Sequence, residues 1–453
     1  MSRQMDSLLL MEWVSSDNNK NIDREMMNAG NKKIRWRIGA LLCLASALNY
    51  IDRSTLAILA PAIQKDLHWT DADYGNITAL FVFSYTIMYV VSGRIIDQIG
   101  TRKGFAYSVG SWSLVSVLHA IANSVTHFSI VRFFLGVTES ANFPAGIKSI
   151  TEWFPLKERA LAVGIFTAGS AIGATIAVPM VTVIAINWGW RMAFVVTGAL
   201  GFVWLIFWMK YYYLPEKHPR ISEVERSLIL GEVKSENDVD SDERMSIKQI
   251  LLKKKSWGCF AGRIFIDPVV YFFVFWIPKY LYDVQGLPLS EIGVSAWLPY
   301  AAMGIGMILG GYIPKLLIER KSWSLNRARK TIMLLSSIAI PVFCFAITTK
   351  VDALTAILLM SGIMLAHGLW SNITLPTEIY SKNIQATVTG IGGTLGGLTS
   401  VVTQKLIGVT VMNYSYLPIF IFIGSAYLIA FVLVHFLIGK IGGEHIVGSK
   451  PVN

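Results

Sequence analysis

The chain has 453 residues, of which 53% are hydrophobic and only 15% charged, with 14 Trp, 23 Phe and a mean hydropathy of +0.51. A water-soluble chain of this size carries roughly a quarter charged residues, so the composition excludes an ordinary soluble enzyme and points to a polytopic membrane protein. The formal net charge of +11 is accounted for by basic loops and their attraction to anionic membrane lipid, and requires no nucleic-acid partner.

The first 35 residues form a polar, basic tail. Its apolar patch, LLLMEWV, is interrupted by Glu12 and lacks a small-residue cleavage site, so it is not expected to be a cleaved signal peptide. From there, segments long enough to cross a hydrocarbon core of about 30 Å are expected over 36–62, 75–96, 103–122, 127–149, 159–186 and 190–213. A hydrophilic linker, 214–256, separates these from six more over 257–283, 291–317, 328–349, 353–376, 384–411 and 416–440, and residues 441–453 form a second tail. The pattern predicts an all-α membrane protein of twelve transmembrane helices in two six-helix bundles, 36–213 and 257–440.

Lys and Arg gather in alternate loops: Lys32, Lys33, Arg35 and Arg37; Arg94, Arg102 and Lys103; Lys157 and Arg159; the 214–256 linker; and Arg320, Lys321, Arg327, Arg329 and Lys330. The positive-inside rule puts these loops and both termini in the cytoplasm. Cys43, Cys259 and Cys344 lie scattered in apolar segments without metal-ligand spacing, so they are read as packing residues and no metal site is expected.

An internal repeat relates the halves. TEWFPLKERALAVGI from Thr151 aligns with TEIYSKNIQATVTGI from Thr377, sharing Thr-Glu, an aromatic (Phe154, Tyr380), Ala (160, 386) and Gly-Ile (164, 390) at a constant offset of 226 residues. Duplicated bundles with a binding site between them are a common construction of secondary transporters.

Between spans two and three stands GRIIDQIGTRKG. Gly93 permits close helix approach, Asp97 sits at a helix end, and Arg102 with Lys103 supplies positive charge to a loop able to clamp the halves together. This stretch resembles the signature of the major facilitator superfamily. The second-half counterpart, GGYIPKLLIERKSWSLNRARK, keeps Gly310, Gly311 and the bases but lacks the acid. NYIDR at 49, RFFLGVTESANFPAGIKSITEWFP at 132, IDPVVYFFVFWIPKYL at 266, WSLNRARK at 323 and LWSNITLPTEIYSKNIQATVTGIGG at 369 are similar to the hexuronate branch of the anion:cation symporters. The resemblance runs from about Arg35 to residue 440. It implies a multi-pass protein of the bacterial inner membrane, functional as a monomer, importing a hexuronate such as galacturonate or glucuronate with a coupling proton and no other cofactor. Gating falls to Gly93, Asp97, Arg102 and Lys103.

Ionisable side chains inside a bilayer are costly and are usually functional. From the outer end of span one, at 1.5 Å per residue, Asp52 and Arg53 lie about 13 Å deep, while in span four Arg132 and Glu139 lie at about 7 and 18 Å. Seven residues separate the latter two, so both face one side of their helix. A carboxylate in a poorly hydrated cavity holds its proton tightly and a nearby guanidinium loosens it, while the planar fork of arginine fits a substrate carboxylate. These properties assign Arg53 to the substrate carboxylate, Asp52 and Glu139 to proton coupling, and Arg132 to holding and tuning Glu139, although the two arginines could exchange duties. Asp52 and Arg53 are expected to reach different neighbours in a cluster shared by spans one and four. Tyr50, Tyr85, Ser170, Tyr271, Trp370, Ser371, Asn372 and Thr394 are candidates to meet the sugar hydroxyls and flat faces. Asp267, four residues after Arg263, is read as a structural ion pair, and His367 as a hydrogen-bonded histidine.

Alternatives are transport of another organic anion (galactonate or glucarate) by proton or sodium symport or by exchange, and a non-transporting membrane receptor. GSAIGATIAVP in span five departs from the Gly-Pro-x-x-Gly-Gly pattern associated with antiporters, favouring symport. Zincin spacing, a nucleophile elbow, a phosphate loop and paired protease aspartates are all missing from the spans, which argues against an enzyme.

Overall fold

In the computed structural model, residues 34–237, 245–370, 375–380 and 382–441 are described. They form helices joined by short turns. The first half comprises α1 (Ile34–Leu67), α2 (Asp71–Ile99), α3 (Thr101–Leu118), α4 (Val125–Glu139), α5 (Asn142–Trp153), α6 (Leu156–Trp188) and α7 (Trp190–Tyr211). Two linker helices follow, α8 (Glu223–Asn237) and α9 (Ile247–Leu252). The second half comprises α10 (Lys254–Asp283), α11 (Leu289–Ser295), α12 (Leu298–Lys321), α13 (Leu325–Thr348), α14 (Ala353–Trp370), α15 (Leu375–Ile379), α16 (Lys382–Asn413) and α17 (Leu417–Ile438).

Among the described residues, ten stretches are long and apolar enough to cross a membrane. The two remaining membrane-length passages are α1 and the α4–α5 pair, which carry Asp52, Arg53, Arg132 and Glu139. Polar residues dilute the hydropathy of α1. The fourth passage, expected as one continuous span, is broken: α4 stops at Glu139 and α5 restarts at Asn142. Pro144 explains the break, because it has no N–H to offer the carbonyl four residues earlier.

Turn chemistry fixes other boundaries. Thr70 caps α2 through a capping box with Asp73, and Ser124 and Ser324 cap α4 and α13. Gly100, with φ +80°, is the single residue joining α2 to α3. That left-handed conformation suits glycine alone among common residues, and accounts for the second Gly of GRIIDQIGTRKG.

Within the first half α1 packs on α6 and α7, α2 on α4, and α3 on α7; within the second, α12 packs on α14, α10 on α16 and α17, and α13 on α14 and α17. Gly169 and Gly173 of α6 lie directly against the backbone carbonyls of Cys43 and Ala47 on α1, leaving no room for a Cβ, a small-residue contact of the kind that brings membrane helices together. The halves meet where α1 touches α10, α2 touches α16, and α6 touches α11 and α12.

The repeat is visible in the contacts. Glu152, near the end of α5, accepts from Thr101 Oγ1 at the start of α3 (2.7 Å). Its counterpart 226 residues on, Glu378 of α15, pairs with Arg329 at the start of α13. The second half therefore does have an acid at this corner; it comes from α15 rather than from the stretch matching GRIIDQIGTRKG. The aromatic positions also correspond, since Phe154 packs on Trp36 of α1 and Tyr380 hydrogen-bonds Ser256 of α10.

The linker is more than a solvated tether. Glu225 of α8 is buried and accepts from the backbone N–H groups of Ile34 and Arg35 and from Arg35 Nη1. Arg35 also pairs with Glu158 at the start of α6, so the linker helix caps α1.

Candidate functional site

The buried charges of α1 and α4 do form one cluster, with different partners from those expected. Arg53 pairs with Glu139: Nη2 lies 3.1 Å and Nε 3.4 Å from the same oxygen, Oε2. Arg53 Nη2 also donates to Asn49 Oδ1 at 3.3 Å. Around the guanidinium stand Tyr85 (4.7 Å to the ring centroid), Tyr50 (4.8 Å) and Phe81 (5.1 Å). Among the described residues Glu139 Oε1 accepts no hydrogen bond although it is fully buried.

Asp52 points elsewhere. Its Oδ1 accepts from Ser116 of α3 at 2.6 Å, and its Oδ2 has no hydrogen-bond partner among the described residues. Asp52 and Arg53 thus reach different neighbours: the hydrogen-bond partner of Asp52 lies in span three, outside the two spans expected to share the cluster, while Arg132 of span four is within its electrostatic reach. Consecutive helical residues point about 100° apart, which sends Asp52 into the first half and Arg53 toward the second.

Arg132 makes no hydrogen bond to Glu139, which corrects the expectation that it holds that carboxylate, although it lies within electrostatic reach of it. Its Nη1 donates to the backbone carbonyl of Arg53 at 3.4 Å, its guanidinium lies 5.8 Å from the Phe81 ring centroid, and Nε and Nη2 have no partner among the described residues. It braces the α1 backbone at the charged pair. Nearby, buried His119 stacks on Phe194 and bonds the Val115 carbonyl through Nδ1 (2.9 Å).

Across the interface, Tyr271 of α10 stacks on Phe275, whose ring meets Phe81 edge-on at 6.1 Å. Tyr271 is within electrostatic reach of Arg53, Tyr50, Tyr85 and Asp267. Tyr50 and Tyr85 thus lie over one guanidinium, with Tyr271 within its electrostatic reach from the second half. The other described candidates make their contacts elsewhere. Ser170 and Thr394 are half-buried and bond carbonyls of their own helices, those of Thr167 and Gly390; Trp370 is buried against Tyr427; and Ser371 and Asn372 lie outside the described residues. His367 bonds Tyr427 Oη through Nδ1 at 2.6 Å. Asp267 lies 2.9 Å from Arg263 Nε.

The GRIIDQIGTRKG residues find partners inside the first half. Asp97 pairs with Lys148 of α5 (2.7 Å), and Arg102 donates to the Met209 carbonyl at the end of α7 and lies over the Tyr213 ring. Gly93 faces Pro144, and Lys103 is exposed. The expected clamp between halves is not made here; the motif staples the corner of its own bundle.

The halves are instead closed at the opposite end, through residues the sequence reading passed over. Lys279 of α10 is only 4% exposed and lies 2.7 Å from both Asp71 of α2 and Asp283 of its own helix. Tyr74 donates to the Phe275 carbonyl (2.6 Å), and Thr78 Oγ1 donates to Gln404 Oε1 of α16 (3.4 Å), which also accepts from Trp276 within its own half (2.9 Å). A Cβ on Gly75 would stand 2.8 Å from the Gln404 carbonyl oxygen and 2.9 Å from Gly408 Cα. The available signals were Asp71 and Lys279 near span ends and the small residues at 75 and 408.

Comparison with known proteins places this geometry. The family model described as Major Facilitator Superfamily matches residues 42–403. The chain is 33% identical over 391 residues to a hexuronate transporter of Escherichia coli (strain K12), covering 86% of this chain and 90% of the relative. It is 36% identical over 307 residues to a galacturonate transporter of Dickeya chrysanthemi (68% and 89% covered). It is 31% identical over 433 residues to a probable galactarate/D-glucarate transporter of E. coli (strain K12) (90% and 95%). In fold it is similar to the inward open conformation of the xylose transporter XylE from E. coli, with a TM-score of 0.71, 12% identity, and 90% of this chain and 98% of that chain covered.

Proposed function

The chain belongs to the major facilitator superfamily and is a multi-pass membrane transporter, and on that footing we propose that it imports a hexuronate anion, galacturonate or glucuronate, by proton symport across the bacterial inner membrane. The observation that carries this reading is the contest for one side chain. Arg53 is the guanidinium ringed by Tyr50, Tyr85 and Phe81, and Glu139 occupies it through a single oxygen.

Protonation of Glu139 removes its charge and frees the Arg53 fork for a substrate carboxylate, with the tyrosines meeting the sugar hydroxyls and ring face. Release of the anion and then of the proton lets Glu139 reclaim Arg53. Proton and anion are thereby bound and released together. Asp52, held by Ser116 and with one oxygen free of protein partners, is the second proton-carrying group. Arg132 positions the Arg53 backbone.

With both termini and the basic loops in the cytoplasm, the Lys279 closure lies on the outer side and the site opens inward. Opening outward then requires separating Lys279 from Asp71 while the basic ends of the bundles come together, with Gly93, Asp97, Arg102 and Lys103 at that moving corner. The protein is proposed to act as a monomer.

The test is counterflow in proteoliposomes loaded with galacturonate, glucuronate, galactonate or galactarate, followed by uptake driven by an inwardly directed proton gradient. Hexuronate exchange, and accumulation that depends on the proton gradient, support the reading. Exchange confined to hexonates or hexarates refutes the substrate class, and accumulation driven only by sodium refutes the coupling ion.

A further inference from the structure

A second ion pair faces the same space from the other half. Arg263 and Asp267 lie on α10, eight and four residues before Tyr271, about 12 and 6 Å along the helix. Tyr271 is within electrostatic reach of both Arg53 and Asp267. On the facing wall, Tyr85 of α2 touches Arg53, its ring lies 6.1 Å from that of Tyr89, and Tyr89 is within electrostatic reach of Arg263. Two tyrosines of α2 and one of α10 thus connect the two arginines.

Arg263 is only loosely engaged. Its Nε lies 2.9 Å from Asp267 Oδ2, yet the N–H is not directed at that oxygen and makes no hydrogen bond; Nη1 and Nη2 donate none among the described residues. Both side chains are partly exposed, 25% and 14%. The glycine-rich face of α16 makes room for them: Gly396 lies against the Asp267 carboxylate, and a Cβ on Gly393 would stand 3.5 Å from Arg263 Nη2. Any side chain at Gly396 would displace the Asp267 carboxylate.

We propose that Asp267 is a specificity-determining residue: by occupying Arg263 it keeps the second wall of the site neutral, so that the transporter takes a sugar acid with one carboxylate and rejects one with a carboxylate at each end. The inference rests on the proposed function and refines its substrate class. In their ionised forms Arg53, Arg132 and Arg263 balance Asp52, Glu139 and Asp267. A proton on Glu139 therefore offsets one carboxylate at Arg53, whereas a second carboxylate at the other end meets an Arg263 already neutralised by Asp267. A linear six-carbon diacid spans about 6 Å between its end carbons from ordinary C–C bond lengths, and a bidentate contact at each end lengthens that reach toward the roughly 12 Å of α10 that separates Tyr271 from Arg263. Removing the Asp267 charge would turn Arg263 into a receptor for the second end.

The experiment compares counterflow of labelled galacturonate and galactarate by wild type, Asp267→Asn and the double variant Asp267→Asn/Arg263→Gln. Wild type should favour galacturonate. Asp267→Asn should raise the galactarate-to-galacturonate ratio about tenfold or more, the scale of one added charge-assisted hydrogen bond, and Arg263→Gln in the same chain should abolish the gain. Wild-type preference for galactarate, an unchanged ratio in Asp267→Asn, or a gain that persists in the double variant overturns the inference, whereas wild-type exchange of neither sugar acid refutes the proposed function itself. If Asp267→Asn exchanges nothing, thermal stabilisation of the purified variant by each anion decides: greater stabilisation by galactarate supports the inference, and greater stabilisation by galacturonate or none by either overturns it.

Discussion

Replacing Glu139 by glutamine separates anion binding from proton coupling. Both contacts from Arg53 go to one oxygen, Oε2, at 3.1 and 3.4 Å, and Oε1 accepts nothing among the described residues. A glutamine carbonyl oxygen can therefore take the place of Oε2, with the amide nitrogen at the position that made no bond. The shape survives and the charge does not. A hydrogen bond to a charged partner contributes about 1.5–3 kcal/mol and one to a neutral partner about 0.5–1.5, so the grip on Arg53 weakens by about 1 to 1.5 kcal/mol. That difference corresponds to about tenfold in an equilibrium constant. Galacturonate should bind Glu139→Gln up to about tenfold more tightly at pH values where wild-type Glu139 is ionised, and the affinity should vary less with pH. Counterflow, which moves no net proton, should survive at least in part, while uptake against a gradient should be lost. Parallel binding, counterflow and proton-driven uptake on the same preparation provide the assay. Full concentrative uptake by Glu139→Gln would refute the reasoning and transfer the coupling proton to Asp52 or Asp267.

Arg53→Lys should lose most hexuronate affinity, because an ammonium cannot reproduce the two-pronged contact of a guanidinium between Tyr50, Phe81 and Tyr85; equilibrium binding in detergent measures it, and an unchanged affinity would remove Arg53 from the site. Gly75→Trp should hold the halves apart at the Lys279 end, since even a Cβ would meet the Gln404 carbonyl at 2.8 Å; this variant should bind externally added anion yet fail in counterflow, and wild-type exchange would show that the α2–α16 contact is dispensable. For orientation, a cysteine replacing Tyr414, which is 81% exposed, should react with an impermeant reagent added outside intact cells, and one replacing Glu216 should not. The opposite pattern would invert the topology.

The fold was legible because the bilayer demands long apolar helices wherever it is crossed, and the repeat was legible because Thr-Glu and its following aromatic do the same structural work twice. Glu152 and Glu378 each fix the start of the third helix of their half, and Phe154 and Tyr380 each reach the first. The break in the fourth passage had a signal in Pro144, but proline is common enough in membrane helices that position alone could not decide between a kink and a stop. Buried charge marked the candidate cluster on α1 and α4. Depth along a helix, however, says nothing of azimuth across helices, so Glu139 was assigned to Arg132 when Arg53 reaches it, and Ser116 was not seen as the partner of Asp52. The closure at Lys279 was least legible of all. Its glycines at 75 and 408 matter only because α2 and α16 touch there, a contact between residues more than three hundred positions apart.

The division of labour between the halves follows from these contacts. Asp52, Arg53, Arg132 and Glu139 all sit on α1 and α4, and Ser116, which bonds Asp52, is on α3. In the proposed cycle, proton chemistry can therefore proceed inside one bundle without that bundle changing shape. The second half enters at Tyr271 and at the Lys279 closure, the places where movement between bundles is felt. In the same proposal, a hexuronate with its carboxylate on Arg53 touches the first half with its charge and the second with its hydroxyls, so bound substrate favours drawing α10 toward α1. An empty site in which Glu139 occupies Arg53 is already neutral and compact, and it too can reorient. The two forms denied that neutrality are the ones that would leak: anion bound beside an ionised Glu139, or a protonated Glu139 facing an unpaired Arg53. Coupling then needs no signal passed between distant sites, because the cost of an unbalanced charge in a nearly dry cluster disfavours both.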